Sequence, residues 1–288
     1  MSEFQKIIKY AAMAFAIFLA VGIITGIIGG VLALTGVISA VSDTNTESAS
    51  GGGTMDFDKE FDGISNFHIK NGVGELSLVK GSGDKVRVTA TDVTKDFRAS
   101  VISGDELKIT TKTNFWHIFN WGIKIRTKPR ITVYLPENFE GKNVIIDAGA
   151  GNIKLEDLNC EKLDINAGVG NINGDSVKTQ RLTVDGGVGE ISMYGVTAEG
   201  SDINAGVGNI RVQGALYGRN TVDAGVGDIT LTLKGSTDDY NIKVDPGIGN
   251  IYIDGNKYGQ MSWNNKTAEN SFDIDGGVGN IHVNFKND

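Results

Sequence analysis

This 288-residue chain is marked first by what it does without: it has one cysteine, three histidines and no catalytic signature. Cys160 alone excludes an intramolecular disulfide, so packing and length must supply stability; it reads as a small residue in or near a strand. His68, His117 and His282 lie far apart, and no two have a metal-ligand spacing. There is no Gly-x-Ser-x-Gly elbow, no phosphate loop ending in Gly-Lys-Ser/Thr, and no cysteine–histidine pair with a local signature. The sequence therefore offers no catalytic, cofactor-binding or metal residue. Positive charge is also short. The 27 Lys and Arg against 35 Asp and Glu leave a net charge of −8, which argues against nucleic acid and against direct binding to an anionic membrane surface.

Charge of either sign is missing altogether from residues 11–41. About 20 apolar residues suffice to cross a bilayer as a helix, so this run predicts a transmembrane segment. Lys6 and Lys9 precede it, while Asp43 and Glu47 follow. The positive-inside bias then places residues 1–10 in the cytoplasm and the rest of the chain outside the cell membrane. The run is longer than the core of a cleaved signal peptide, which favours an uncleaved signal anchor. Gly22, Gly26 and Gly30 share one helical face that would allow two helices to pack closely. Residues 42–54 are polar and glycine-rich, a flexible tether.

Glycine, by contrast, is abundant, at 40 residues. Much of it belongs to a motif near Ala-Gly-Val-Gly-Asn-Ile that recurs seven times. The second glycines are Gly151, Gly170, Gly189, Gly208, Gly227, Gly249 and Gly279, and the first four intervals are 19 residues each. A fixed period near 20 in a β-forming sequence predicts one stacked supersecondary unit. Two residues after the glycine stands Ile in every copy: Ile153, Ile172, Ile191, Ile210, Ile229, Ile251 and Ile281. Five residues before it stands Ile or Val, and the residue just before it is also apolar, as at Val169 and Ile248. The inward parity switches across the glycine, so each coil is read as two short strands joined at a Gly-x-Gly bend. In-register stacking of identical columns predicts an all-β, single-domain parallel β-solenoid, a right-handed β-helix of about 19 residues per coil, preceded by one transmembrane helix. Its coils are degenerate over 55–143, where Asn71-Gly72-Val73-Gly74-Glu75-Leu76 still matches the motif, and regular over 144–288. The chain ends nine residues after Gly279, which predicts an open solenoid end able to pair with a second copy.

Two polar columns flank the bend. Asp147, Asn166, Asp185, Asn204, Asp223, Asp245 and Asp275 precede the glycine; Asn152, Asn171, Glu190, Asn209, Asp228, Asn250 and Asn280 follow it. Oxygen-rich columns can hold Ca²⁺, but Asn and Asp also suit corners by bonding local backbone, and that structural role is the stronger reading. Candidate partner-binding residues lie where the repeat is interrupted. Phe115, Trp116, Phe119 and Trp121 crowd 114–122 beside His117, and Trp263 lies in the longer insertion over 254–271. Aromatic side chains of this density suit a bilayer interface, a glycan or a protein partner, or else the closing of a hairpin over the core.

The anchor, the segment Ile131-Thr132-Val133-Tyr134-Leu135-Pro136 and the tandem Gly-x-Gly-Asn/Asp-Ile coils together resemble the DUF4097 family of bacterial adhesin-like β-strand-repeat proteins. The resemblance covers most of 55–285 and brings no catalytic or metal residues with it. It implies a membrane-anchored, surface-exposed module of the cell envelope that binds a protein or glycan or plays a structural part. A stress-sensing envelope protein acting through a partner is the alternative. A polysaccharide-active enzyme is less favoured, because the repeat columns supply Asn, Asp and Gly rather than carboxylates clustered with Lys or Arg.

Overall fold

A computed structural model describes residues 54–111, 129–259, 261–263 and 268–286, without side chains for 261–263. They form a single 21-stranded sheet, folded over at the glycine corners into a nearly closed, barrel-like wall around one apolar core. Each regular coil contributes a strand before the corner and a strand after it, as in Asn159–Val169 followed by Ile172–Asp175. Neighbouring coils pair parallel and in register, Ile165 beside Val184 and Ile172 beside Ile191. The isoleucine ladder is as the period predicts: Ile153, Ile172, Ile191, Ile210, Ile229, Ile251 and Ile281 are all at most 1% exposed. Each contributes about 1.5–3 kcal/mol by burial. The apolar column just before the glycine departs from its inward reading. Val226 is 38% and Ile248 51% exposed, because the chain reverses its inward parity at this bend and the residue there lies on the rim.

The expected fold class needs correction in three respects. Pairing is mixed rather than wholly parallel. At one end Val86–Thr94 runs antiparallel to both Thr54–Phe61 and Arg130–Leu135, and Arg98–Val101 antiparallel to Glu106–Thr110. At the other end Asn256–Tyr258 and Met261–Trp263 run antiparallel to Ile251–Ile253 and Tyr240–Asp245. Antiparallel strands need only a short turn, so hairpins cover the edges that a parallel stack exposes.

Stacking also does not follow chain order. The pair Asn270–Val278 and Ile281–Lys286 lies between the Gly227 coil and the Gly249 coil: Val222 and Val244 both flank Ile274, and Ile229 and Ile251 both flank Ile281. The corners thus stack as Gly74, Gly151, Gly170, Gly189, Gly208, Gly227, Gly279 and Gly249. The C-terminal coil is internal, and the predicted open end at the C-terminus does not exist. The longer repeat intervals have their cause here. After Ile229–Lys234 the chain passes through the short 3-10 turn Thr237–Asp239, held by Asp239 Oδ2 accepting from the Ser236 amide and hydroxyl. It then leaves one coil's width vacant, builds the outer coil and its hairpins, and returns to fill the gap.

The third correction concerns the membrane. Among the described residues no helix is long and apolar enough to cross one. The run 11–41, with Gly22, Gly26 and Gly30, lies outside the described residues.

Candidate functional site: the groove along the glycine corner

The corner is built from bare backbone. A Cβ on Gly170, whose φ is +137°, would lie 2.0 Å from the carbonyl oxygen of Gly151; one on Gly168 would lie 2.5 Å from that of Gly149. Any side chain at either column would drive the coils apart, so both glycines of the motif are fixed by close approach.

The polar column after the glycine is occupied by the scaffold. Asn152 Oδ1 accepts from the Asn171 amide at 3.0 Å, Asn171 Oδ1 from Glu190, Asn209 Oδ1 from Asp228, and Asp228 Oδ1 from Asn280. Each side chain therefore satisfies a corner N–H of the next coil that the ladder leaves over. Glu190 breaks the series. It accepts from the Ser192 hydroxyl and pairs with Arg211 at 2.6 Å, and the Arg211 guanidinium, followed by Ser192, holds its carboxyl below the usual range.

The column before the glycine forms a wall. Asn166 Nδ2 donates to Asp147 Oδ1 at 3.3 Å and to Asp164; Asn204 Nδ2 donates to Asp185 Oδ1 at 2.8 Å and to Asp202. Asp and Asn alternate here, so like charges are kept two coils apart. The alternation fails beyond Asn204, where the stacking order brings Asp223, Asp275 and Asp245 side by side. Burial, followed by the charges of Asp275, Asp202 and Asp273, raises the Asp223 carboxyl above its ordinary value.

Wall and floor together enclose an open groove of about 620 Å³. Its wall is Asp147, Asn166, Asp185 and Asn204, and its floor is Gly72, Gly149, Gly168 and Gly187. Lys70, Asn71 and Thr111 close its first end. Lys70 Nζ lies 3.8 Å from Asp147, and His68 lies 3.5 Å from the same carboxylate. Buried Asn71 donates to the Gly74 carbonyl, and the Thr111 hydroxyl accepts from the Gly72 amide.

The sequence reading selected neither this groove nor Lys70, Asn71 and Thr111. They sit in the degenerate Gly74 coil and its neighbour, and only the match of Asn71 to Glu75 with the motif signalled their place. Phe115, Trp116, Phe119 and Trp121 lie outside the described residues. The chain that carries them departs after Thr111 and re-enters at Pro129. Pro129 sits at the corner of the outermost coil, its carbonyl oxygen bonded to the Glu75 amide. Trp263 belongs to a strand opposite Ile242, which places its backbone in the terminal hairpin. Cys160 is buried in a stacked strand beside Thr179, and burial pushes its thiol up to about 11. His282 stacks on Tyr252, with ring centres 4.7 Å apart.

Comparison with curated proteins gives no match. Solved structures similar to this chain include a "putative cell adhesion protein" from Clostridium sporogenes ATCC 15579, at 17% identity and TM-score 0.39, covering 81% of this chain and 100% of that one. They also include a "putative adhesin" from Bacteroides fragilis NCTC 9343, at 16% identity and TM-score 0.40, covering 80% and 97%. A "putative lipid binding protein" from Parabacteroides distasonis ATCC 8503 matches at 13% identity and TM-score 0.24, covering 82% and 98%. None of these names denotes an enzyme. The family model described as Toastrack DUF4097 matches residues 64–284, nearly the whole described sheet, and the chain belongs to that family.

Proposed function

We propose that this protein is a surface-presented binding module of the bacterial cell envelope, adhesin-like in its action, with the corner groove as its contact surface. The observation that carries this reading is the groove itself. In the column after the glycine, Asn152, Asn171, Asn209 and Asp228 are consumed by the ladder, whereas the wall from Asp147 to Asn204 faces open space over a backbone floor. Concave surfaces with a few convergent polar groups are the default place for a ligand. Thr111 lines the first end of the groove, and the sequence that follows it carries Phe115, Trp116, Phe119 and Trp121, residue types that suit contact with a partner. An envelope location with the sheet on the outer side is supported by the uncharged run 11–41, with Lys6 and Lys9 before it and Asp43 and Glu47 after it.

The test is attachment. Cells displaying the full chain are compared with cells displaying a Trp116→Ala, Trp121→Ala double variant of equal abundance and equal thermal midpoint, on surfaces coated with bacterial envelope material. Loss of attachment in the variant is expected. Equal attachment, or none by the parent, refutes the reading.

A further inference from the structure

We propose that the groove binds a neutral, extended β-linked polysaccharide lying along the stack, one sugar unit to each coil; this rests on the binding-module reading above and names its ligand. The first argument is the chemistry of the wall. The Nδ2 groups of Asn166 and Asn204 are both taken up by neighbouring carboxylates. Among the described residues, Asn166 Oδ1, Asn204 Oδ1 and Asp185 Oδ2 have no donor of their own. From Asn166 to Asn204 the wall thus presents one open acceptor per coil, with the Asp147 carboxylate, shared with Lys70 and His68, at its head, and a ligand that satisfies it must bring one donor per step. Hydroxyl groups repeated along a sugar chain do so.

The second argument is spacing. Parallel coils are about 4.8 Å apart, close to the length of one pyranose unit with its linkage. An extended β-linked chain can therefore keep register with the wall over the four coils from Asp147 to Asn204. The glycine floor has no side chains to hold a ring away, so the sugar faces can lie directly on backbone.

The competing occupants fit less well. A peptide joining a sheet needs an unpaired strand edge and pockets for alternate side chains. In this groove both neighbours of each coil are already paired, as Asn159–Val169 is with Gly141–Ala150 and Lys178–Val188, and the floor has no pockets. A polycation would call for a carboxylate at every step, whereas every second position is an amide. An anionic polymer meets Asp147 and Asp185 in the wall and a chain of net charge −8.

The experiment uses the full chain in detergent micelles, titrated with β-1,4-linked glucose and N-acetylglucosamine oligosaccharides of increasing length. In at least one series, affinity should climb with each unit up to four and then level off. Asn166→Ala and Asp185→Ala should each weaken binding of the four-unit ligand by about three- to tenfold, with the thermal midpoint little changed. Affinity independent of length, no binding in either series, unchanged affinity in both wall variants, or tighter binding of oligolysine than of either sugar overturns the proposal. Surface attachment that both wall variants keep but the tryptophan double variant loses also overturns it, and leaves a binding module whose contact surface is not the groove. Loss of attachment in all of them supports it.

Discussion

Removing the C-terminal strands should release a coil that precedes them in sequence. A chain stopped after Gly259 lacks Asn270–Val278 and Ile281–Lys286, and with them Phe272, Ile274, Ile281 and Val283, all at most 2% exposed. At about 1.5–3 kcal/mol for each buried side chain, the loss is about 6–12 kcal/mol, comparable to the whole stability of a typical domain. Its location discriminates. Among the described residues, Tyr240–Asp245 and Ile251–Ile253 have no parallel partners other than the two deleted strands. Every ladder bond tying 240–253 to the stack therefore disappears, while Gly141 to Val226 keeps its own pairings. Amide hydrogen exchange read by mass spectrometry measures this segment by segment. In the truncated chain 240–253 should lose protection by about a thousandfold or more, an opening cost lower by about 4 kcal/mol, with 153–207 still protected. Had the coils stacked in chain order, the truncation would remove an outer layer and leave 240–253 bonded to 219–234. Retained protection over 240–253 would therefore refute the threaded order.

The corner can be tested by Gly170→Ala, which places a Cβ 2.0 Å from a backbone oxygen at φ +137°. Thermal unfolding should show a loss of about 3 kcal/mol or more, whereas Gly200→Ala, whose nearest atom is 3.4 Å away, should change little. Asp223→Asn should stabilise the protein at neutral pH. The folded-state carboxyl is raised, so the stability it contributes is present below its unfolded value near 3.8 and lost as pH rises through the folded value. The gain in thermal midpoint from the amide should therefore shrink on acidification and vanish below about pH 4; a gain independent of pH contradicts the stated cause. Ile210→Asp buries a charge at a fully enclosed position and should cost more than 4 kcal/mol, while Asn209→Asp keeps the oxygen that accepts from Asp228 and should cost less than about 1 kcal/mol. Equal melting shifts would contradict the register. Cys160, buried and with its thiol raised to about 11, should resist alkylation by iodoacetamide at pH 8 until the chain unfolds.

What the sequence revealed is what a local period can encode. Ile at a fixed offset from glycine gives the buried ladder, and the parity switch gives the corner. Both depend only on the residues within one coil. Stacking order depends on which coil meets which, and identical coils have interchangeable edges: Ile229 packs beside Ile281 as readily as it could beside Ile251. The only trace in the sequence is length. Intervals of 22 and 30 residues leave enough chain to skip one layer and return, but the same numbers also fit a loop. The half-exposed column at Val226 and Ile248 was misread for a related reason, since alternation predicts an inward side chain up to the bend and not at it. The groove is illegible in the sequence because its eight wall and floor residues are drawn from five coils, and only the stacking brings them together.

The two polar columns show why one regular feature can carry structure and its neighbour recognition. Their compositions are nearly the same, Asn and Asp at every step save Glu190. After the glycine, the side chain sits beside the amide of the next coil, and its oxygen is committed to that bond. Before the glycine, from Asp147 to Asn204, the backbone of the strand is already paired on both sides, and the side chains bond to neighbouring side chains instead of to a backbone amide. Backbone satisfaction, rather than residue type, thus decides which column is free to meet a ligand. By that criterion the groove is open where the wall is regular and amide-buffered, from Asp147 to Asn204. It gives way to crowded carboxylates at Asp223, Asp275 and Asp245, because the last three coils all carry Asp in this column and no amide separates them in the stack.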